Sequence, residues 1–482
     1  MVRGMRILHV AAELFPYVKV GGLADVMGAL PQALRAEGAD VRLLLPAYPA
    51  LRDALGGVVS AGPLGPFAGV GEARLLLGRT AAGVPLYLLD LPSLFDRPGG
   101  PYDERGDSCL RFGALSWAAA RLGRQGDAQG WRPQVVQAHD WQAGLAPAYL
   151  ALEAGPRPAT VMTIHNLAYQ GRCPPSVLKP LGLPASAFHL HGLEFHGDLG
   201  FLKAGLVYAD RLTTVSPTYA REIQTPEQGE GLEGLLAHRS GDLTGILNGV
   251  DPDLWHPSRS PHLPMHFASS RPSGKKVCKN HLQRELGLRE SPAAPLFGIV
   301  SRFAVQKGLD LVLENVDHLV ALGAQLAVLG SGDPALEAAF RAVAAQHPGS
   351  VGLRVGYDEG LSHRVIAGSD ALLVPSRHEP CGLTQLYALA FGTLPVVRRT
   401  GGLADTVVDA TSQAQAEGRA TGFVFEDPNG WALGEALNRA CGLYRDQPAA
   451  WTRLQRTAMA QDFSWRTSAR QHMELYRALV HP

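Results

Sequence analysis

Short apolar runs recur along this chain, and each is followed by a stretch with the residue spacing of a helix. In the first half these runs occupy residues 5–12, 41–45, 84–89, 135–138, 161–165 and 211–215. Short buried strands that alternate with segments of crossover length are typical of a parallel, doubly wound sheet. The pattern therefore predicts an α/β fold.

A proline-rich segment divides this series from a second one. Residues 251–289 contain Pro252, Pro257, Pro261, Pro264 and Pro272 and show little periodicity. New apolar runs follow at 296–301, 325–329, 352–355, 371–375, 394–397 and 422–425, and an amphipathic helical pattern ends the chain. Since a typical domain has roughly 100 to 200 residues, a chain of 482 residues has room for two such units. We predict one domain over 1–249, a second over 250–460, and a terminal helix within 461–482.

Charge and hydropathy limit the classes of partner. Lys+Arg and Asp+Glu both total 44, so no overall field attracts the chain to nucleic acid or to an anionic membrane. Glu13 and Pro16 interrupt the first apolar run before a signal-peptide core could form. No stretch approaches the roughly 18 apolar residues that span a bilayer. We therefore expect a soluble, cytoplasmic protein without a nucleic-acid or membrane partner.

The cysteine residues lack the spacing of a metal finger or a redox motif. The chain contains Cys109, Cys173, Cys278, Cys381 and Cys441, an odd set without a Cys-x-x-Cys pair. This usage fits a reducing compartment, so we expect free thiols.

The five residues GGLAD occur twice, at 21–25 and 401–405, each time before a helical pattern. A glycine pair lets the backbone approach a ligand closely, and the exposed N–H groups of a helix start favour an anion. Gly21 and Gly22, with Lys19 beside them, form a candidate phosphate site, although an ordinary turn between strand and helix explains the same residues. The repetition indicates one structural device in two similar domains, with coincidence as the alternative.

Two further motifs are weak. Residues 330–335 match the Gly-x-Gly-x-x-Ala form of the dinucleotide fingerprint, but another strand and helix precede them in their domain. Pro334 at a helix start explains this segment structurally. Asp251 and Asp253 imitate a metal-binding Asp-x-Asp motif, for which an Asp-Pro turn is the simpler explanation.

The densest candidate chemistry lies in the second half. Arg302 ends a predicted strand and Lys307 follows in the next loop, so two cations can converge at the sheet edge where α/β proteins bind ligands. A departing diphosphate needs such charges, and two solvated surface cations are the alternative. Residues 375–385 place Glu379 between a buried strand and a helix start, beside the amides of 382–384. We predict donor cleavage and leaving-group binding in this loop, with a helix-terminal charge as the alternative for Glu379.

His165 and Asn166 close a predicted strand in the first half. This pair faces the same cleft as Glu379 if the two sheets oppose their carboxyl edges. Because a lone histidine is more often structural than catalytic, these two residues alone make His165 only a candidate.

Eight sets of residues along the chain form recognisable segments. They are KVGGLADV (19–26), HDW (139–141), TIHNLAYQG (163–171), FLKAG (201–205), LNGVD (247–251), SR (301–302) with QKGLD (306–310), EPCGLTQL (379–386) and RRTGGL (398–403). Taken together, these segments resemble glycosyltransferase family 5, the bacterial glycogen and plant starch synthases, and the resemblance covers nearly the whole chain.

The resemblance implies two Rossmann-like domains facing across a deep cleft, the GT-B arrangement, with the nucleotide on the second domain and the acceptor mainly on the first. It implies transfer of glucose from ADP-glucose to the non-reducing end of an α-1,4-glucan such as glycogen, with retention of configuration and release of ADP. It also implies no metal, no other cofactor, and a C-terminal helix that packs back on the first domain.

The resemblance further implies a role for each matching residue. Arg302 and Lys307 would stabilise the departing diphosphate, and Glu379 would hold the donor glucose. The residues similar to family residues that contact the nucleotide, its phosphates or the donor glucose are Asp25, His165, Asn248, Tyr357, Cys381, Gly382, Leu383 and Thr384. Lys19, Gly21 and Gly22 would close on the donor from the opposite domain. Asp140 and Asn166 are further substrate-binding candidates, and the catalytic candidates are Glu379, Arg302, Lys307, His165 and Asp25.

The chain departs from the family pattern at a few positions. Many related retaining transferases carry a second carboxylate eight positions after the first, where this chain has Tyr387. We therefore favour front-face attack, in which the leaving phosphate takes the acceptor proton, over a double displacement. Gln142 and His378 replace an expected His and Phe, and the loop at 102–107 is short, which leaves acceptor preference open.

Three other functions compete with this assignment. Another nucleotide-sugar transferase of the same fold would share the phosphate-binding chemistry. A nicotinamide oxidoreductase would use residues 330–335 and bind NAD. A non-catalytic glucan-binding protein would keep acceptor affinity without needing Arg302, Lys307 and Glu379 together.

Overall fold

The computed structural model describes residues 4–103 and 105–480. These residues form two compact units. The first comprises the chain up to Gly249 together with the helix that begins at Trp465, and the second is Val250–Ser464. Each unit combines helices with a mainly or wholly parallel sheet, so the predicted α/β fold with two Rossmann-like units is confirmed.

The strands of the first unit are β1 (Arg6–Val10), β2 (Asp40–Pro46), β3 (Val59–Phe67), β4 (Gly71–Arg79), β5 (Pro85–Asp90), β6 (Val135–His139), β7 (Ala159–Ile164), β8 (Arg172–Cys173), β9 (Glu194–Phe195), β10 (Asp198–Gly200), β11 (Arg211–Thr214) and β12 (Leu243–Gly245). Its helices are α1 (Gly22–Ala36), α2 (Pro49–Leu55), α3 (Pro92–Phe95), α4 (Ser108–Gln125), α5 (Leu145–Leu152), α6 (Phe201–Tyr208), α7 (Pro217–Glu222), α8 (Glu233–His238) and the C-terminal α19 (Trp465–Val480). Short 3-10 turns lie at Trp141–Ala143, Pro175–Val177, Ala185–Ala187 and Ser240–Asp242.

The main sheet of the first unit has the strand order β12-β11-β7-β6-β1-β2-β5-β4-β3. Neighbours from β12 to β5 are parallel, whereas β4 pairs antiparallel with β5 and with β3. The chain leaves β1 towards β2 and later returns to β6 on the other side of β1. Ligands of open α/β sheets bind at the carboxyl ends of strands that flank such a reversal.

The C-terminal helix completes the core of the first unit. Trp465, Ala469, Met473 and Tyr476 of α19 join a buried apolar cluster formed by residues of α1, β1, β2, β6 and β7. These positions form the apolar face that produced the amphipathic pattern at the end of the sequence.

The strands of the second unit are β13 (Leu296–Val300), β14 (Gln325–Gly330), β15 (Val351–Val355), β16 (Ala371–Val374), β17 (Leu394–Arg398) and β18 (Phe423–Phe425). Its helices are α9 (Ser273–Glu285), α10 (Leu309–Leu313), α11 (Val316–Ala321), α12 (Pro334–Gln346), α13 (Glu359–Gly368), α14 (Thr384–Ala390), α15 (Gly401–Thr406), α16 (Ser412–Ala416), α17 (Gly430–Asp446) and α18 (Pro448–Met459), with a 3-10 turn at Val305–Lys307. The strands form a parallel sheet in the order β15-β14-β13-β16-β17-β18, so the order reverses between β13 and β16.

The proline-rich segment at the start of this unit packs into its core. The ring of Trp255 lies between those of His363 and Tyr387, with centroid separations of 3.8 Å on both sides. Such stacked contacts and the burial of Trp255 make this stretch part of the second unit.

Each apolar run that we predicted as a strand overlaps a strand of the main sheets. The hairpin β3–β4 was not predicted, because β3 contains glycines and prolines and its register shifts at two points, between Ser60 and Gly62 and between Pro63 and Gly65. The small antiparallel sheet β8-β10-β9 was also missed. Across residues 4–103 and 105–480, none of the helices has the length and apolar character needed to cross a membrane.

The prediction of free thiols is wrong for two of the cysteine residues. Cys109, in the first turn of α4, and Cys173, in β8, form a disulfide with a Cα–Cα distance of 6.1 Å. They lie 64 positions apart in sequence, and only the fold brings them together, so no local spacing could reveal the bond. Cys278, Cys381 and Cys441 are buried and form no disulfide within the described part of the chain.

Candidate active site

In the second unit, the loops that follow β13 and β16 bring Lys307 and Glu379 together. The Nζ atom of Lys307 donates a hydrogen bond to Oε2 of Glu379 at 2.6 Å, and Oγ of Ser376 donates to the same oxygen at 2.8 Å. Glu379 is only 8% exposed. A carboxylate and an ammonium group therefore lie at the strand reversal, the edge at which α/β sheets bind ligands.

This site keeps unused bonding capacity. Across the described residues, no hydrogen bond reaches Oε1 of Glu379, and the exposed side chain of Arg302 forms no hydrogen bond or ion pair. A carboxylate oxygen can accept hydrogen bonds from hydroxyl groups, and a guanidinium group can bind two anionic oxygens at once. The site can thus accept a polar, anionic ligand.

The backbone around Glu379 is supported from neighbouring segments. The fully buried Gln385 donates from Nε2 to the carbonyl oxygens of Cys381 and Gly382, both at 2.9 Å. A Cβ atom at Gly402 would lie 2.0 Å from the carbonyl oxygen of Cys381, so only glycine fits there. The second GGLAD segment therefore supports the loop that carries Glu379.

Two arginines fix the residues that precede Glu379. Arg377 forms a bidentate ion pair with Asp310, with distances of 2.6 and 2.7 Å. Arg398 donates to the carbonyl oxygens of Ser376 at 3.2 Å and of Arg377 at 2.7 Å. Sequence reasoning did not single out Ser376, Gln385 or Arg398, because their importance depends on partners in other segments.

The other candidates of the second unit occupy two loops. Cys381, Gly382, Leu383 and Thr384 continue the loop of Glu379 into α14, which begins at Thr384 and whose N-cap residue, Leu383, provides no capping side chain. Tyr357 follows β15 and is 76% exposed, and its hydroxyl donates to Oε2 of Glu359. Asn248 is half-buried and lies after β12 in the first unit.

In the first unit, His165 ends a chain of three imidazole rings. Nε2 of His165 lies 2.9 Å from Nδ1 of His139, and Nε2 of His139 lies 2.9 Å from Nδ1 of His9. Burial lowers the pKa of His9 and of His165 to about 3 and the pKa of His139 well below its ordinary value. All three rings are therefore neutral near pH 7, and His165 cannot act there as a resident cation.

Asp140 shapes the turn that carries His165 and Asn166. Its Oδ1 atom accepts the backbone N–H of His165 at 2.7 Å and that of Asn166 at 3.4 Å. Burial raises the pKa of Asp140 to about 7, although these two N–H groups act in the opposite direction. Asp140 therefore fixes the backbone that follows β7, where the sugar-binding candidates His165 and Asn166 lie.

Glu13 organises the glycine loop before α1. Its Oε2 atom accepts the N–H groups of Val20 at 2.8 Å and of Gly21 at 2.9 Å. The N–H groups that we predicted would bind a phosphate group therefore donate to the side chain of Glu13. Lys19 is likewise paired, with Oδ1 of Asp25 at 2.8 Å.

The repeated GGLAD segments open helices in different ways. In the first, Gly21 is the N-cap residue and α1 begins at Gly22, whereas in the second α15 begins one position earlier, at Gly401. The first segment is held by Glu13, and the second packs against a neighbouring backbone. The segments thus share a place before a helix but not a set of contacts.

The two weak motifs have structural explanations. A Cβ atom at Gly330 would lie 1.9 Å from the carbonyl oxygen of Ser301, and Oδ1 of Asp333 already caps the first N–H groups of α12. Oδ1 of Asp251 accepts the N–H of Asp253 at 2.8 Å, which is the turn expected of an Asp-Pro sequence. Within residues 4–103 and 105–480, no group of three or more His, Cys, Asp or Glu residues could hold a metal ion.

Known families match both halves of the chain. The model of the starch synthase catalytic domain matches residues 6–238, and that of the glycosyl transferases group 1 matches residues 286–452. A glycogen synthase from Paramagnetospirillum magneticum is 53% identical over 99% of this chain and 98% of its own length. A glycogen synthase from Yersinia pestis (strain Pestoides F) is 52% identical over 98% of this chain and its entire length, 100%.

Solved structures share the architecture. The catalytic domain of starch synthase IV from Arabidopsis thaliana, bound to ADP and acarbose, matches with a TM-score of 0.88 at 34% identity, over 99% of this chain and 100% of that one. A sucrose-phosphate synthase from Thermosynechococcus elongatus has the same fold, with a TM-score of 0.59 at 18% identity over 98% of this chain and 99% of that one.

The two units, each with a mainly or wholly parallel sheet, match these structures over 98–99% of the chain and have the architecture of a GT-B glycosyltransferase. Half of the sequence is shared with glycogen synthases over nearly the whole length. The chain belongs to the glycogen and starch synthase family, whose members transfer glucosyl groups. The predicted fold and enzyme class are thereby confirmed, and the nicotinamide oxidoreductase is set aside.

Proposed function

We propose that this enzyme transfers glucose from ADP-glucose to the non-reducing end of an α-1,4-glucan, with retention of configuration and release of ADP. The observation that carries this proposal is the pair Lys307–Glu379, 2.6 Å apart at the strand reversal of the second unit. The glycogen synthases among its relatives support the choice of acceptor, and the ADP in the starch synthase structure supports the choice of nucleotide.

The leaving group is stabilised by fixed positive charge. As the bond between glucose and ADP stretches, negative charge grows on the distal phosphate. Arg302 has no partner among the described residues and can bind two phosphate oxygens, while Lys307 contributes a point charge. Because these two cations can stabilise the negative charge that develops on the phosphate, we propose that the reaction needs neither a divalent metal nor another cofactor.

Glu379 orients the donor sugar. Its Oε2 atom accepts hydrogen bonds from Lys307 and Ser376, whereas Oε1 is free to accept a hydrogen bond from a glucose hydroxyl group. A carboxylate held by an ammonium group and a hydroxyl is well fixed for positioning and poorly prepared for nucleophilic attack. We assign it the first role.

The proposed chemistry is front-face attack. Tyr387 lies eight positions after Glu379, where many related retaining transferases would have a second carboxylate, and its ring stacks on Trp255 at a centroid distance of 3.8 Å. A stacked phenol supports the core and supplies no nucleophile. The acceptor hydroxyl therefore forms its bond to the anomeric carbon as the bond to ADP breaks on the same face, and its proton passes to the departing phosphate oxygen.

The first unit supplies further sugar contacts. We propose that His165, Asp25, Asn166 and Asn248 bind sugar hydroxyl groups, and that the glucan is bound mainly by this unit. Asp140 holds the N–H groups of His165 and Asn166, so it acts by positioning them.

Nucleotide release tests the proposal directly. Purified protein is given ADP-glucose or UDP-glucose, with and without glycogen, and with and without EDTA. We expect ADP release that requires glycogen and survives EDTA. Faster release from UDP-glucose would overturn the choice of donor, loss of activity in EDTA would overturn the metal-free chemistry, and no release from either donor would point to another sugar nucleotide.

A further inference from the structure

Three neighbouring strands of the first unit end in one connected row of imidazoles. His9 lies on β1, His139 is the last residue of β6, and His165 follows β7, and these strands are adjacent and parallel. Both links between the rings measure 2.9 Å, and His9 and His139 are completely buried. His165 is the accessible end of the row, because it is half-buried whereas the other two histidines are buried.

A neutral imidazole carries one N–H group and one bare nitrogen, so the row permits two proton arrangements. In the first, Nδ1–H of His9 donates to His139, Nδ1–H of His139 donates to His165, and His165 keeps its proton on Nδ1. In the second, every proton shifts to Nε2, so His165 donates inward and leaves Nδ1 bare. The tautomers of the three residues are therefore coupled.

The buried end of the row decides between these arrangements. Nε2 of His9 is buried and has no hydrogen-bond partner among residues 4–103 and 105–480. The second arrangement would leave an N–H group there without an acceptor, and such orphaned donors are rare in protein interiors. The first leaves only an unfilled acceptor, while Nδ1–H of His165 can reach water or a ligand.

We propose that His9 and His139 are positioning residues that hold His165 in its Nδ1–H tautomer, so that it offers a hydrogen-bond donor to a sugar hydroxyl oxygen. This inference deepens the proposed function, because it rests on His165 binding sugar. It separates the three histidines by role, since only His165 would touch the substrate.

Nitrogen NMR measures the tautomer without substrate. In protein labelled with ¹⁵N-histidine, long-range proton–nitrogen correlations distinguish Nδ1–H from Nε2–H, and single substitutions assign the signals. We expect Nδ1–H at His165 in the unmodified enzyme near pH 7. An Nε2–H signal there would overturn the assignment, whatever the donor nucleotide proves to be.

Two substitutions at His9 test the coupling. His9→Asn keeps an amide N–H near the position of Nδ1, whereas His9→Leu removes the donor at similar size. We expect His9→Asn to keep the Nδ1–H signal of His165 and the activity. His9→Leu should give mixed tautomers at His165 and lower kcat/KM for the donor about tenfold, the value of one hydrogen bond.

If His9 had a purely structural role, both variants would be less stable but the tautomer of His165 would not change. An unchanged His165 signal in His9→Leu would therefore overturn the coupling. If His9→Leu does not fold, the signal of His165 in the unmodified enzyme still decides, since Nε2–H there contradicts the proposal. If the tautomers are as expected but His165→Ala retains full turnover, the sugar-binding role fails while the coupling stands.

Discussion

The hydroxyl of Tyr102 donates a hydrogen bond to Oε1 of Glu13 at 2.6 Å, while Oε2 of the same carboxylate holds the N–H groups of Val20 and Gly21. Nε2 of Gln142 donates to the Tyr102 hydroxyl at 3.0 Å. Gln142 and the short loop that begins at Tyr102 are both departures from the family pattern, and they contact each other. These departures are therefore coupled to the glycine loop through Glu13.

Tyr102→Phe should loosen the glycine loop without emptying the core. The change removes one hydrogen bond to a carboxylate, which is worth about 1.5 to 3 kcal/mol. Because Glu13 then holds the loop less firmly, we expect kcat/KM to fall roughly 10- to 150-fold in the nucleotide-release assay. Tyr149→Phe is the matched control, since the Tyr149 hydroxyl donates to the carbonyl oxygen of Leu181 at 2.7 Å in the same unit. Equal activity losses in both variants would contradict the specific link to Glu13.

Lys307→Ala and Glu379→Ala should each lower turnover by orders of magnitude. The first removes a charge that meets the leaving diphosphate, and the second removes the group that orients the sugar. Losses of one preorganised electrostatic contact typically cost about 10²- to 10³-fold in kcat. Steady-state kinetics with ADP-glucose and circular dichroism measure turnover and folding together. Arg419→Ala, on an exposed ion pair with Glu417, is the control that should retain full activity; near-normal rates in both site variants would refute the assigned roles.

Gly402→Ala should disrupt the loop of Glu379. The added Cβ atom would lie 2.0 Å from the carbonyl oxygen of Cys381, and the neighbouring backbone cannot yield without moving the loop. We expect a loss of about 2 kcal/mol or more in unfolding free energy and a fall in kcat. Gly442→Ala in α17 meets nothing within 4 Å, so it should be neutral or stabilise the protein by up to about 1 kcal/mol. Urea unfolding of both variants provides the comparison, and unchanged stability of Gly402→Ala would show that the loop adapts.

Most strands of the two main sheets could be predicted from local sequence patterns. Buried parallel strands are continuous apolar runs, so their positions were visible in the sequence, and Lys307 and Glu379 could be placed at one edge because each follows such a run. The hairpin β3–β4 was not predicted, because the glycines and prolines of β3 interrupt the alternation of apolar and polar residues that is typical of a strand.

Contacts between distant segments, at the site and elsewhere, could not be predicted. Their partners are distant in sequence: His9 and His139 are 130 positions apart, and Cys109 and Cys173 are 64 apart. A single sequence shows which residue ends a strand, but not which side chains meet across neighbouring strands. The roles of Glu13 and Gln385 likewise emerge only from the folded backbone that they hold.

The buried histidines predict a strong dependence of stability on pH. Burial lowers the pKa of His9 and His165 to about 3, of His472 to about 4, and of His139 well below its ordinary value. The unfolded chain binds protons on these rings below about pH 6.5 while the folded state does not, so their stabilisation is complete above that pH and is lost as the pH falls towards 4.

Each of these histidines contributes up to about 1.4 kcal/mol per pH unit in that window. Asp140 acts with the opposite sign, because burial raises its pKa to about 7 and the folded state then retains a proton that the unfolded state releases above about pH 4. One opposing group does not cancel four, so we expect urea midpoints to rise steadily from pH 4.5 to 6.5. His472→Gln should flatten this rise by about one proton, because it removes one of the buried rings whose pKa is lowered. Midpoints that stay constant or fall over this range would mean that the buried rings take up protons in the folded enzyme.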